Sequence, residues 1–286
     1  MASDTIHSRE NKWLKAFRAA LQGTGPDQGD PIGIEGRKAV EDALASGLKA
    51  QALLVSDAGE RDLGHLLDVA GKSETGIPRS LIFRTTDKLF AGVSGTETPQ
   101  GVAALFQQRL WGLEDALHGP PGRDGAFSGA AALIVVLTAI QDPGNVGTIV
   151  RSAEAFGATG AIATRGTADP WSPKALRAST GSALRLPILR RLAVPVVLAQ
   201  LRISRVKIVA ASAKAWSRAD ATALAECLRG PAAIFVGSEG GGLPAEVEHA
   251  ADARMAIEMS ESVESLNAAV AASIVLYEAA KLRCRK

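Results

Sequence analysis

The chain has 286 residues, 47% hydrophobic and 22% charged, the balance of a globular protein with material for two domains rather than a disordered chain. Its formal charge of +2 does not by itself indicate nucleic acid, but residues 1–120 carry 13 basic against 16 acidic side chains and residues 121–286 carry 19 against 14, so the second half is the positive one. Cys227 and Cys284 lack CxxC or Cys/His ligand spacing, so neither a disulfide framework nor a metal site is expected. The polar first ten residues and a longest apolar run of residues 130–140 give no signal peptide or membrane span, and a cytoplasmic protein is expected.

In chain order, an amphipathic helix is expected over residues 8–22. Short apolar strands follow around residues 32–34, 52–55, 81–83 and 102–105, with helical patterns at 36–46 and 61–70 between them. This alternation predicts a small α/β/α sandwich. Glycine, proline and polar residues without apolar period fill residues 119–129, which reads as a linker between a domain at 1–118 and another at 130–286. Beyond it, residues 132–137, 161–163, 208–211, 232–236 and 255–257 read as buried strands separated by helical segments, the pattern of a mostly parallel sheet. A final helix over 266–282 carries Ala, Val, Ile and Leu around most of its circumference.

Three polar turns follow apolar runs in the second half. The first, Asp142-Pro143-Gly144-Asn145 continuing to Arg151, opens a helix directly after a strand. The second is Gly237-Ser238-Glu239-Gly240-Gly241-Gly242, and the third runs from Ser262 through Ser265, Leu266 and Asn267. Parallel sheets place ligands at the carboxyl ends of their strands, where all three turns begin. Other chemistries are excluded by missing signatures: there is no GxGxxG and no P-loop. Val236 stands where a nucleophile elbow needs glycine, and none of His7, His65, His118 and His249 lies in a motif.

In order and spacing these turns resemble the three motifs of the SpoU (TrmH) family of RNA ribose 2'-O-methyltransferases. Upstream, Ile32-Gly33-Ile34-Glu35-Gly36 and Ser94-Gly95-Thr96-Glu97-Thr98-Pro99-Gln100-Gly101-Val102 are similar to landmarks of the substrate-binding domain that precedes the catalytic domain in many members. The resemblance implies an L30e-like α/β/α first domain and a trefoil-knotted, mostly parallel α/β second domain of the SPOUT type. It further implies S-adenosylmethionine as cofactor, RNA as partner and a homodimer formed through the last helix. Ribosomal RNA, of the large subunit, is the substrate expected. Transfer RNA is the alternative, and a non-catalytic RNA-binding protein of the same fold a second one.

The motif residues have ordinary structural readings beside the functional ones. Arg151 would activate a ribose 2'-hydroxyl; a guanidinium, with its delocalised positive charge, is an awkward base, so holding a phosphate or stabilising a developing alkoxide remains open, as does a plain solvated helix position. Asn145 would orient Arg151 or the RNA, or simply shape a turn. Glu239 would pair with Arg151, or sit exposed in a glycine turn. Ser265 and Asn267 suit a helix cap, and the resemblance adds a catalytic-site role for both. It also implies that Gly237, Ile257 and Leu266 hold the cofactor's adenosine, with Glu258 standing where the family commonly has proline. Residues 177–182 resemble a further family segment whose polar side chains would meet phosphates, or cap a helix. Arg185, Arg190, Arg191, Arg202, Arg205 and Lys207 read either as a contact for the RNA backbone or as a solvated face.

Overall fold

A computed structural model describes residues 5–27, 29–71, 77–120, 131–211, 218–238, 240–260 and 265–284. Most of the expected linker, Glu239 and the start of the third motif lie outside the described residues. The chain forms two compact units, residues 1–110 with 171–184, and residues 111–170 with 185–286.

The first unit contains β1 (Thr5–Ile6), α1 (Lys12–Gln22), β2 (Ile32–Glu35), α2 (Arg37–Ala45), β3 (Ala50–Ser56), α3 (Glu60–Gly71), β4 (Ile82–Thr85), α4 (Asp87–Ala91) and β5 (Val102–Phe106). Its five strands pair in the order β1-β4-β3-β5-β2, with β5 antiparallel to both neighbours. Alternation along β3 puts Ala52 and Leu54 into a core with Leu14, Phe17 and Leu21 of α1, while Leu53 and Val55 are equally buried on the opposite face. Helices therefore cover both sides of the sheet. α1 is stopped at its start by Asn11, whose side chain accepts from the Trp13 N–H at 2.8 Å.

The two upstream landmarks form one joint in this unit. The Glu35 carboxylate accepts from the Ser94 hydroxyl at 2.6 Å, the Gly95 N–H at 2.9 Å and the Thr96 hydroxyl at 2.8 Å. Gln100 Oε1 accepts from the Arg37 N–H at 3.2 Å, at the opening of α2. Gly101 has φ +77, and a Cβ there would lie 2.4 Å from the Ser56 hydroxyl and 2.7 Å from the Gly59 nitrogen, so the closure requires glycine. The later segment of this unit holds α7 (Pro173–Ser179) and the start of α8 (Ser182–Arg185).

The second unit is built on α5 (Leu113–His118), β6 (Leu133–Leu137), α6 (Pro143–Ala155), β7 (Gly160–Thr164), β8 (Ile188–Leu192), α9 (Val194–Ile203), β9 (Lys207–Ala211), α10 (Arg218–Arg229), β10 (Ala232–Val236), α11 (Ala245–Ala250), β11 (Ala253–Met255) and α12 (Ala268–Cys284). Its six strands are all parallel, in the order β11-β9-β10-β6-β7-β8. Ile134, Val136, Ile162, Ile208 and Phe235 pack with Val197 and Leu201 of α9 and Val247 of α11. Leu133, Val135 and Leu137 are buried too, as the two-sided cover of a parallel sheet requires. Among the described residues no helix is long and apolar enough to cross a membrane.

Candidate active site

The three turns stand at the carboxyl ends of β6, β10 and β11. The first opens α6 with Asp142 as its N-cap: Asp142 Oδ1 accepts from the Asn145 N–H at 3.0 Å, and Pro143 occupies a first-turn position where no N–H is missed. Just before it, Ala139 adopts φ +55, uncommon for a residue with a side chain. That loop is braced from the side. The Thr167 hydroxyl donates to the Leu137 carbonyl at 2.9 Å, and the Ala168 N–H to the Ile140 carbonyl at 2.8 Å.

The third turn opens α12. Asn267 Oδ1 accepts from the N–H groups of Ala269 at 3.0 Å and Val270 at 3.3 Å, while its Nδ2 donates to Asn145 Oδ1 at 3.1 Å. The capping reading and the site reading of Asn267 are thus two ends of one side chain. The same helix pair is joined further along by a 2.7 Å hydrogen bond between the Ser152 and Ser273 hydroxyls, and by an edge-on contact of Phe156 with Tyr277 at 5.6 Å between ring centroids. The first and third motifs therefore share one rigid frame, α6 beside α12.

The second turn folds back on itself. The Gly242 N–H donates to the Ser238 carbonyl at 2.9 Å, and a Cβ on Gly237 would lie 2.2 Å from the Gly242 carbonyl oxygen, so no other residue fits there. Two cavities adjoin at this turn and share Ser238 and Ala268 as a common wall. One is lined by Gly237, Ile257, Leu266 and Ser265, together with Met255 and Met259. The other is lined by Gln141, Asp142, Asn145 and the backbone of Gly240 and Gly241. The first is a mostly apolar slot with backbone polar groups; the second is evenly divided between polar and apolar surface.

All three residues expected to hold the cofactor thus line one cavity, with Ser265, and Asn145 lines the other in contact with Asn267. Arg151 lies exposed on α6, outside the lining of both cavities, and Glu239 lies outside the described residues. Glu258 is exposed while Ile257 and Met259 on either side face the cavity, so the departure from proline sits on the outer side of the loop. Ser238 lies within the second motif without being singled out by it, and Met255 and Met259 carried no signal of their own in the sequence. Only their places shortly before the third motif connect the two methionines with the site.

The basic cluster is largely neutralised. Arg185 holds Glu154 through two bonds at 2.6 and 2.7 Å, Arg190 and Arg191 share Asp169, and Arg202 and Lys207 share Asp252. Ser179 and Ser182 are buried, and the chain leaves α7 through Thr180 and Gly181, both at positive φ. Thr180 and Gly181 therefore end the helix and the Ser179 and Ser182 hydroxyls are not free to meet phosphates, whereas Arg177 of the same segment is exposed.

Residues 132–277 match the SpoU rRNA Methylase family, and residues 28–104 match the MRM3-like substrate binding domain. The chain is 30% identical, over 95% of its own length and 97% of the relative's, to the 23S rRNA (guanosine(2553)-2'-O)-methyltransferase RlmP of Bacillus subtilis. Among solved structures it resembles an rRNA methyltransferase from Sinorhizobium meliloti with a TM-score of 0.77 at 26% identity, covering 98% of both chains. It resembles the AdoMet-bound form of that enzyme with a TM-score of 0.76, again at 26% identity and over 98% of both chains. The fold implied by the motifs holds, a SPOUT-type parallel α/β catalytic domain behind an α/β substrate-binding domain. The chain belongs to the SpoU rRNA methylase family.

Proposed function

We propose that this protein transfers a methyl group from S-adenosylmethionine to a ribose 2'-hydroxyl of large-subunit ribosomal RNA. The observation that carries the reading is the pair of cavities separated by Ser238 and Ala268, one suited to an adenosine and the other to a sugar-phosphate. The slot fits the cofactor: Gly237 leaves backbone at its wall, and Ile257, Leu266, Met255 and Met259 offer apolar surface to a purine ring. When bound, S-adenosylmethionine supplies a methyl group activated on a sulfonium.

The protein's own residues then position the acceptor, which supplies much of the rate in a transfer of this kind. Asn145, fixed by Asn267 from one side and held to Asp142 through its backbone, orients the ribose or the RNA backbone. Arg151 carries the charge that holds the neighbouring phosphate or stabilises the alkoxide as the hydroxyl proton leaves. Glu239 fixes the guanidinium, and Ser265 stands at the cofactor side.

The family match and the name of the Bacillus subtilis relative support ribosomal over transfer RNA, and the substrate's location makes the cytoplasm the place of action. A homodimer through α12 completes the reading, because Val270, Ile274 and Tyr277 leave 48%, 36% and 46% of their surface exposed along one side of that helix. The test is ribose-methylation mapping of 23S ribosomal RNA and transfer RNA after incubation with the full chain and labelled S-adenosylmethionine. A 2'-O-methyl mark on ribosomal RNA is expected. Methylation confined to transfer RNA would overturn the substrate, and methylation of a base would overturn the reaction.

A further inference from the structure

We propose that the first unit contains a pocket for one unstacked nucleobase of the RNA, set between α2 and the α7–α8 segment; the proposal rests on the RNA substrate read above. The cavity measures about 250 Å3, and every residue lining it belongs to the first unit. Leu21 at the end of α1, Ile34 on β2, and Leu176 and Leu184 on α7–α8 provide apolar walls. The exposed Lys38 and Arg177, with the partly buried Asp42, form the rim. None of these residues takes part in the two cavities at Ser238.

The walls and the rim, rather than the volume, select the ligand: the walls are apolar and the charged groups stand only at the mouth, as a flat ring with a polar edge requires. A nucleobase has two apolar faces for the leucine and isoleucine walls. It also has a polar edge whose amino or imino N–H can donate to the Asp42 carboxylate. The phosphates on either side of such a base carry the charge that Arg177 matches, while Lys38, 2.9 Å from Asp42, holds that carboxylate in place at the rim. A hydrocarbon would leave three charged groups at the rim unused, and an acidic peptide would leave the apolar walls unused. The wall is also fixed in advance, because β2 and α2 are tied down through Glu35 and Gln100. Recognition of single-stranded RNA works by splaying bases into such pockets, and it explains how a unit whose residues 1–110 and 171–184 carry 15 basic against 14 acidic side chains can select RNA without a broad basic face.

The test uses the full chain and a fragment of large-subunit RNA substituted with 4-thiouridine or 6-thioguanosine, cross-linked by long-wave light and mapped by peptide. Cross-links are expected within residues 33–42 or 173–184, and Ala39→Phe, which fills the cavity, should abolish them. The same variant should raise KM for the RNA about tenfold or more, the loss of one stacked base, with kcat at saturating RNA within about twofold of wild type. Asp42→Asn keeps the cavity open and should raise KM while shifting which base is preferred; it decides the matter if Ala39→Phe does not fold. Folded variants with wild-type KM and undiminished cross-links would overturn the pocket. So would methylation that proceeds normally with no cross-link in these segments, which would leave the reaction standing. Cross-links in these segments without any methyl transfer would instead overturn the reaction and support the pocket.

Discussion

Replacing Asn267 separates two tasks that one side chain performs. Its Oδ1 caps α12 and its Nδ2 holds Asn145, so Asn267→Ala loses both, whereas Asn267→Asp keeps an oxygen for the Ala269 and Val270 N–H groups and loses only the donor. Loss of an N-cap costs about 1 kcal/mol, and a neutral hydrogen bond contributes about 0.5–1.5 kcal/mol, so Asn267→Ala should destabilise the second unit by about 2 kcal/mol. The carboxylate of Asn267→Asp sits at the positive end of the α12 dipole, which returns about 0.3–1 kcal/mol, so that variant should unfold close to wild type. Turnover should behave differently. Both variants release Asn145, and misplacing a positioning group by about 1 Å can cost roughly a hundredfold, so both should lose kcat to a similar degree. Denaturant unfolding followed by circular dichroism gives the first quantity, and single-turnover methyl transfer the second. If Asn267→Asp loses as much stability as Asn267→Ala, the cap is not what the side chain contributes. If Asn267→Asp turns over like wild type, the link to Asn145 has no part in the reaction.

Arg151→Ala should nearly abolish methyl transfer while S-adenosylmethionine affinity, measured by calorimetry, stays within about twofold, and Arg151→Lys should rescue poorly because a point charge does not reproduce the guanidinium fork. Wild-type turnover in Arg151→Ala would remove it from the mechanism. Arg283, at the end of α12, donates to the carbonyls of Leu228, Ala131, Ala132 and Gly230, and tethers the helix to the chain leading into β6 and β10. Burial pulls its pKa down, and Arg283→Ala should destabilise the second unit by about 2 kcal/mol in denaturant unfolding, since the Leu228 and Gly230 carbonyls lose a charged donor while the Ala132 carbonyl keeps the Ala232 N–H and the exposed Ala131 meets water; a loss below about 1 kcal/mol would show that water replaces the guanidinium throughout. Ile274→Glu, on the exposed side of α12, should convert a dimer to a monomer in light scattering at micromolar concentration without changing the fold by circular dichroism. An unchanged mass for the variant would place the interface elsewhere.

What was legible in the sequence was what local chemistry specifies. β6 and β10, the strands before the first two motifs, are fully buried, so their apolar runs stand out between glycine- and proline-marked turns, and Asp142-Pro143 announces the start of α6. β8 was not legible, because it is the edge strand of its sheet, half exposed, with Arg190 and Arg191 in its middle and Arg191 at φ +61 where its register with β7 shifts. β1 was hidden for a different reason: two residues in a polar segment give no period, and only pairing with β4 makes them a strand. The strand expected at 255–257 ends instead at Met255, since residues 256–260 leave the sheet to line the cavity with Ile257 and Met259. Arg151's place on the exposed side of α6, outside both cavities, depends on tertiary placement that no spacing encodes.

The charges show the same limit with a consequence for RNA recognition. Five of the six basic residues between 185 and 207 have acidic partners, and those partners, Glu154, Asp169 and Asp252, lie far enough away in sequence that no local pattern announces them. The +5 excess of residues 121–286 is therefore not a uniform basic face. Each phosphate that a protein neutralises steepens the fall of affinity with salt by close to one unit of logarithmic slope. A surface whose arginines are already committed to carboxylates contributes few such contacts. Binding by this chain should then depend only shallowly on salt and steeply on the fold of the RNA. That is the behaviour expected when unpaired nucleotides are taken one at a time, a ribose beside Asn145 in the second unit and a base against Ile34 and Leu176 in the first.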